Sequence, residues 1–233
     1  MTGVELVLLD AYNTLIDLDR AHETTIEKIL RKENAGVSLP VFHAYWDERE
    51  RQNLMEAVLR PQGRFVSQTG LNVKSLRETF SHFGIDGNAE SGVELWVELS
   101  RRCRPFDDAR PALEDLRERF SVGVVSNADN YPLLEIFRRE GLDFEQVITS
   151  ETARAYKPGA RIFRYALKAF GRKAEAAAYV GDSPATDVAG AAGAGLFTVW
   201  LNRSGRALRP GEPAARRTVA SLLDVQRALE QSG

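Results

Sequence analysis

The sequence predicts an α/β fold, a doubly wound parallel sheet with an all-helical cap inserted after its first strand. Three observations predict it. Short apolar runs recur, and several stop at small polar residues; runs of this length fit strands buried on both faces, the mark of a parallel sheet. In the second half of the chain helical patterns alternate with those runs, as right-handed crossovers require. Between residue 17 and about residue 103, helical patterns follow one another with no strand between them.

Glu5 to Leu9 is the first strand and ends at Asp10. Arg20 to Glu33 then places Ile26, Ile29 and Leu30 on one helical face. Val41 to Leu59 follows a proline and carries Tyr45, Trp46, Leu54, Met55 and Val58, and Val73 to Phe83 and Ser91 to Leu99 are two further amphipathic stretches. An insertion of this size costs little if its ends stay close, whereas two sequential domains would leave Glu5 to Leu9 without a sheet. The division is therefore residues 1–16 and 104–233 for the core and 17–103 for the cap. Ala109 to Phe120 spaces Leu113, Leu116 and Phe120 as a helix, and the strand Ser121 to Val125 stops at Ser126-Asn127. Leu133 to Arg139 is helical, Gln146 to Thr149 is a weaker strand, and Arg161 to Phe170 is helical again. The strand Ala176 to Val180 stops at Gly181-Asp182, and Gly195 to Leu201 is the last strand pattern. Asn202 to Arg217, with Pro210 and Pro213, reads as a loop before a final helix from Ala220 to Leu229.

Composition narrows the function. The 233 residues are 43% hydrophobic and 27% charged, which suits a globular domain and excludes wholesale disorder. A formal net charge of -2 argues against nucleic acid as the main partner. The longest apolar runs are a few residues, where a spanning helix needs about 20. Cys103 is the single cysteine, so neither an intramolecular disulfide nor a Cys-based zinc site is available. No basic stretch followed by an apolar one opens the chain, so a cytoplasmic protein is expected. Oligomeric state is left open.

Ligands of open parallel sheets bind beyond the carboxyl ends of the strands. Those ends carry Asp10-Ala11-Tyr12-Asn13-Thr14-Leu15, Ser126-Asn127 and Gly181-Asp182-Ser183-Pro184-Ala185-Thr186-Asp187, with Lys157-Pro158 ahead of a helix. Three acids, a hydroxyl and an amine thus converge on one rim. The acids suit a hard cation, the lysine and backbone N–H groups near Ser126 suit an anion, and a carboxylate can act as a nucleophile on phosphoryl groups.

Asp-x-x-x-Thr-Leu, a strand ending in Ser-Asn, Lys-Pro, and Gly-Asp-Ser-x-x-x-Asp, in that order, resemble the haloacid dehalogenase superfamily of hydrolases. The resemblance covers the whole core and implies a Rossmann-like sheet. It implies Asp10 as the nucleophile, with Ser126 and Lys157 binding the transferred group. Ala11, Thr14 and Asn127 fall at substrate-binding positions. Mg²⁺ would be held by Asp10, Asp182 and Asp187 and by the backbone carbonyl of Tyr12. The implied substrate is a small phosphorylated metabolite, hydrolysed through an aspartyl-phosphate.

Tyr12 departs from the phosphatase pattern, in which a second aspartate two residues after the nucleophile serves as general acid and base. Such help is worth roughly 10²–10⁴-fold. An aromatic residue there resembles the metal-free 2-haloacid dehalogenase branch, as do Trp200-Leu201-Asn202-Arg203-Ser204-Gly205 and the surroundings of Tyr45-Trp46. That branch places an arginine after the cap tryptophan, where this chain has Asp47, and a tyrosine six residues after the lysine, where it has Phe163. Its last motif lacks the acid found here as Asp182. The acids therefore favour Mg²⁺ and a phosphorus substrate. Two alternatives stand: a dehalogenase forming an ester at Asp10, with Arg49, Arg51, Arg60 or Arg64 replacing the arginine, and a catalytically weakened phospho-ligand-binding homologue.

Plainer roles accompany several residues. Ser183-Pro184 suits a helix N-cap followed by proline. Gly190, Gly193 and Gly195 suit close helix–sheet packing and a helix stop rather than a dinucleotide fingerprint. His22, His43 and His82 show no paired metal-ligand spacing and are expected to be surface or satisfied helix histidines. Tyr45, Trp46, Phe65 and Trp96 are expected in the cap core, and Arg101, Arg102 and Arg104 on a solvated face.

Overall fold

The protein is described by a computed structural model covering residues 3–59 and 64–230. The first strand, β1 (Leu6–Leu9), is followed by α1 (Asp19–Lys32), α2 (Leu39–Leu59), α3 (Gln68–Phe83) and α4 (Ala89–Ser100), with no strand among the described residues between them. The alternating half then runs α5 (Ala109–Arg117), β2 (Ser121–Ser126), α6 (Asn130–Glu140), β3 (Val147–Thr149), α7 (Ser150–Ala153), α8 (Ala160–Ala169) and β4 (Ala177–Gly181). A wide π-type turn, Pro184–Val188, leads into α9 (Ala189–Gly193), and β5 (Phe197–Leu201), β6 (Arg217–Val219) and α10 (Val225–Glu230) complete the chain. The six-stranded sheet has the order β3-β2-β1-β4-β5-β6 with every neighbouring pair parallel.

Alternation along β1 explains the two layers. Val7 and Leu9 face a core built with Leu113 and Leu116 of α5, Leu133 and Phe137 of α6 and Leu229 of α10. Leu6 and Leu8 face the opposite core, with Ile162 and Phe163 of α8 and Ala191 of α9. All of β1 is buried, as its uninterrupted apolar run requires. Helices α1–α4 make their own cluster around Ile26, Phe42, Trp46, Leu76, Phe80 and Val93. The two connections to them run side by side: Asp17 N donates to Arg104 O and Phe106 N to Leu15 O at 3.1 and 2.9 Å. Closely spaced ends are what makes a long insertion cheap.

Two expectations are corrected. The stretch to Arg217 is not all loop, because Arg217–Val219 adds a sixth, edge strand to β5. The last helix does not begin at Ala220: Ser221 caps a short 3₁₀ turn, Leu222–Asp224, and α10 starts at Val225. Among the expected cap aromatics, Trp46 is fully buried, whereas Phe65 stacks on Tyr156 with centroids 5.3 Å apart. Arg101 and Arg102 are paired with Glu135 and Glu98.

Gly190 lets α9 press onto the segment carrying Lys157. A Cβ there would lie 2.6 Å from the Phe163 ring and 2.8 Å from Pro158 Cα, whereas one at Gly193 would meet nothing within 4 Å. Gly190→Ala should therefore destabilise the protein by about 1–3 kcal/mol. Gly193→Ala should leave it unchanged or gain up to about 1 kcal/mol. Urea-denaturation midpoints of the two variants distinguish packing from helix propensity.

Candidate active site

The strand order reverses beside β1, which pairs with β2 on one side and β4 on the other. Leu9 is in register with both Val124 and Val180. Asp10, Ser126 and Asp182 therefore leave the sheet at neighbouring strand ends, the crevice where ligands of such sheets bind. After Asp10 the chain turns sharply. Leu15 N and Ile16 N both donate to Ala11 O, and Asn13 takes a left-handed conformation (φ 58°) that asparagine tolerates. Arg203 clamps this turn from the loop after β5: it donates to Thr14 O at 2.9 Å, grips Asp108 with two N–H groups and lies over the Phe106 ring.

Lys157 is 2% exposed, and an ammonium so deeply buried must be paired. Its three N–H donors are all used: Asp10 Oδ1 at 2.7 Å, Asp187 Oδ1 at 2.6 Å and the Tyr179 hydroxyl at 2.8 Å. Tyr179 in turn donates to Val125 O at 2.7 Å. Burial works against the ammonium, but Asp10 and Asp187 outweigh it and hold its pKa above the ordinary lysine value. Asn127 fixes the backbone of Lys157 from both sides, donating to its carbonyl at 3.0 Å and accepting from its N–H at 2.8 Å. Asn127 thus has a positioning contact the sequence did not suggest, while it also lines the adjoining cavity.

Asp187 is committed: Oδ1 faces Lys157, and Oδ2 accepts from Ser183 N at 2.9 Å. Gly181 makes room for it, since a Cβ there would sit 2.3 Å from Asp187 Oδ2 and 2.7 Å from its Cβ. Asp182 is held through its backbone, whose carbonyl accepts from Trp200 Nε1 at 2.9 Å. Its carboxylate receives Thr14 Oγ1, at 3.3 Å, and its own backbone N–H, and has no cationic side chain in contact among the described residues. Burial, then Asp187 and then Asp10, push the Asp182 pKa well above the ordinary carboxylate range.

Asp10, Asp182 and Asp187 each offer an oxygen within 4.8 Å of the others. Three carboxylates face one ammonium, an imbalance that a divalent cation would cancel. An all-oxygen donor set fits a hard ion such as Mg²⁺. Ser126 is buried at the end of β2, and Thr14 is fully buried.

A cavity of about 370 Å³ adjoins the β1 turn, lined by Tyr12, Asn13 and Asn127 below and by residues of α1–α4 above. Asp19, Asp47, Glu50 and Asp129 line it, and no Lys or Arg is among its described lining residues. Burial and Asp47 push Glu50 up to about 8. Burial, then Asp129 and Asp10, hold the Tyr12 phenol above its ordinary range. Of the arginines considered as anion holders, Arg49 and Arg51 are paired with Glu78 and Glu48, and Arg64 lines a different cavity. Arg60 lies outside the described residues.

The histidines sit on helices as expected, but two of them meet across helices in a way that the sequence spacing did not show. His22 and His43 converge with Asp47 at the edge of this cavity, His43 Nε2 lying 3.0 Å from His22 Nδ1. Burial and then His43 push His22 down to about 4. The signal available in the sequence was His43-x-x-x-Asp47, two potential ligands on one helical face.

A family model described as haloacid dehalogenase-like hydrolase matches residues 4–195, and the chain belongs to that family of hydrolases. It is 27% identical over 208 residues to haloacetate dehalogenase H-2 of Moraxella sp. (strain B), covering 88% of each chain. Over 135 residues it is 47% identical to a phosphoserine phosphatase of Thermus thermophilus, covering 57% of this chain and 53% of that protein. The solved structure of an L-2-haloacid dehalogenase has the same fold, with a TM-score of 0.82, 20% identity and coverage of 97% of this chain and 99% of that one. No helix of the described residues is long and apolar enough to cross a membrane.

The raised Asp182 pKa fixes a sign. A carboxyl that binds its proton more tightly when folded stabilises the protein at low pH and loses that stabilisation as pH rises through its folded pKa. In chelator, wild-type stability should therefore fall between pH 5 and pH 8 more steeply than that of Asp182→Asn. Added Mg²⁺ should raise the wild-type melting temperature and leave Asp182→Asn nearly unmoved. Thermal unfolding with and without Mg²⁺ at both pH values checks this.

Proposed function

We propose that this hydrolase cleaves a small phosphate monoester with Mg²⁺, through a phosphorylated Asp10. The observation that carries the reading is Asp182, a carboxylate set beside Asp10 and Asp187 with no cationic side chain in contact with it among the described residues. Such an acid is costly unless a cation is there to meet it. When bound, Mg²⁺ would be held by Asp10 and Asp182, and by the Tyr12 carbonyl as the family resemblance implies, and would neutralise charge on the phosphoryl oxygens.

The chain's own groups would do the rest. Lys157 holds Asp10 Oδ1, and no hydrogen bond among the described residues reaches Oδ2, which is the oxygen left to attack. Attack forms the Oδ2–P bond as the P–O bond to the leaving group breaks, and that oxygen leaves with the electron pair and takes a proton from water. A second water then attacks phosphorus, the Oδ2–P bond breaks, and the Asp10 carboxylate returns with release of phosphate. The Lys157 ammonium, fixed before substrate arrives, stabilises the charge of the transferring group without reorganisation. Ser126, at the adjacent strand end, and the backbone of Ala11 and Thr14 are the proposed contacts to the phosphoryl group. Asp187 serves to hold Lys157 in place. The acidic cavity favours a leaving group that is neutral or cationic.

Tyr12 favours a second reading. A phenol held above its ordinary range is a poor base, as suits a 2-haloacid dehalogenase in which Asp10 displaces halide from carbon and water hydrolyses the ester. Against it stands the cavity, which has Asp47 where an arginine would hold halide.

Phosphate release from a panel of small phosphate monoesters should require Mg²⁺ and fall to background in Asp10→Asn. Halide release from short 2-halo acids in the presence of chelator, with no phosphate release, would establish the second reading instead. Tyr12→Asp should accelerate poor leaving groups toward the roughly 10²–10⁴-fold that general acid–base help supplies, measured as kcat on alkyl against aryl phosphates.

A further inference from the structure

We propose that His22, His43 and Asp47 form a second metal site, for a transition ion of the zinc class, with its open coordination position facing the 370 Å³ cavity.

Geometry carries the inference. His43 Nε2 lies 3.0 Å from His22 Nδ1 and 3.3 Å from Asp47 Oδ2, and His22 Nδ1 lies 3.9 Å from Asp47 Oδ1. Ligand atoms at about 2.0–2.1 Å from a tetrahedral zinc stand about 3.3 Å apart; one ligand atom from each of the three residues lies within 4.8 Å of the other two, so a small closure of the side chains completes one face of such a site. His43 and Asp47 are one turn apart on α2, and His22 comes from α1, so two packed helices set the spacing. The two imidazoles stand at 88° to each other with centroids 4.6 Å apart, an edge-on contact that leaves both rings free of stacking on one another. His22 is braced by Trp46 and Trp96, with centroids 4.9 and 5.0 Å away.

The donor set chooses the ion. Two imidazoles and a carboxylate suit zinc and its neighbours, whereas Mg²⁺ prefers oxygen. Asp19 and Asp129 line the same cavity with no opposing Lys or Arg among its described lining residues, so the surroundings attract a cation. Three protein ligands with a fourth position toward a cavity is the arrangement of an ion that meets a ligand rather than one that only braces a fold. An ion there would offer its open position to a neutral oxygen- or nitrogen-bearing group of a molecule in the cavity. The cluster shares no residue with Asp10, Asp182 and Asp187, and the inference holds whichever reaction Asp10 performs.

Calorimetric titration of the full chain with Zn²⁺ in saturating Mg²⁺ tests it. One equivalent should bind, and Co²⁺ in its place should give the visible absorption of a four-coordinate site with imidazole ligands. His43→Gln and Asp47→Asn should each weaken Zn²⁺ by more than the roughly 10–100-fold that loss of an outer-sphere partner costs. Asp182→Asn should leave it unchanged. Asp47 is 53% exposed, so Asp47→Asn reports on the site even if a histidine variant fails to fold. Absence of Zn²⁺ binding, equal affinity in wild type and Asp47→Asn, or loss of the equivalent in Asp182→Asn would overturn the proposal, leaving His22 and His43 as a pair sharing a proton.

Discussion

The Lys157 ammonium, enclosed between Asp10 and Asp187, is the interaction on which the rest depends. Burying an ion pair returns little net stability, because desolvation offsets the attraction. Its value here is geometric. Three donors meeting three acceptors fix one amine, and through it one oxygen of Asp10, with no freedom left over. The same bonds tie together the ends of β1, β2 and β4: Asp10 follows β1, Tyr179 lies in β4 and donates to Val125 of β2, and Asp187 sits on the turn after β4. Loss of the amine would leave two buried carboxylates facing each other, so the acids on this rim are tolerable only as a set.

Everything that places Lys157 is built from short-range devices around a sheet whose register is set elsewhere. Asn127 holds its backbone, Gly181 makes room for Asp187, Gly190 lets α9 close on Pro158, and Arg203 fixes the turn after Asp10. Each acts by removing an alternative: a second position for the loop, a displaced carboxylate, a looser helix or a relaxed turn. Preorganisation of this kind makes a charge useful in catalysis, because the dipoles need not move when the reaction does.

The sequence revealed the sheet where strands are buried on both faces, since β1, β2, β4 and β5 leave continuous apolar runs. It concealed β6, whose three residues include one buried side chain, Val219, and lie at an edge. The start of α3 was hidden for a different reason. Its first turn reads Gln68-Thr69-Gly70, and Asp129, distant in sequence, accepts the N–H groups of Gln68 and Thr69. The rim residues Asp10, Ser126, Lys157, Asp182 and Asp187 were legible because strand ends are where such folds keep their chemistry. The contacts among them were not, because Asn127–Lys157 and Tyr179–Lys157 bonds depend on how loops fold back. His22 escaped for the same reason: its partners lie on another helix, and only the His43–Asp47 half of that cluster has a local pattern.

Charge separates the two ends of the site. At the rim, three carboxylates meet one lysine and would be balanced by a hard divalent ion; in the cavity above, Asp19, Asp47 and Asp129 meet no lysine or arginine among the described lining residues. A small 2-halo acid would have to place both its carboxylate and its departing halide against those acids, and Coulomb repulsion in a partly desolvated space is strong. A phosphate monoester divides differently. Its anionic end belongs on the rim, beside Lys157 and the site suited to a divalent ion, and only its organic part need enter the cavity. On the phosphatase reading proposed above, the chain carries the phenol of Tyr12 and still favours phosphorus, because the position of negative charge on the substrate, rather than the identity of one neighbouring acid, would decide which molecule fits both ends at once.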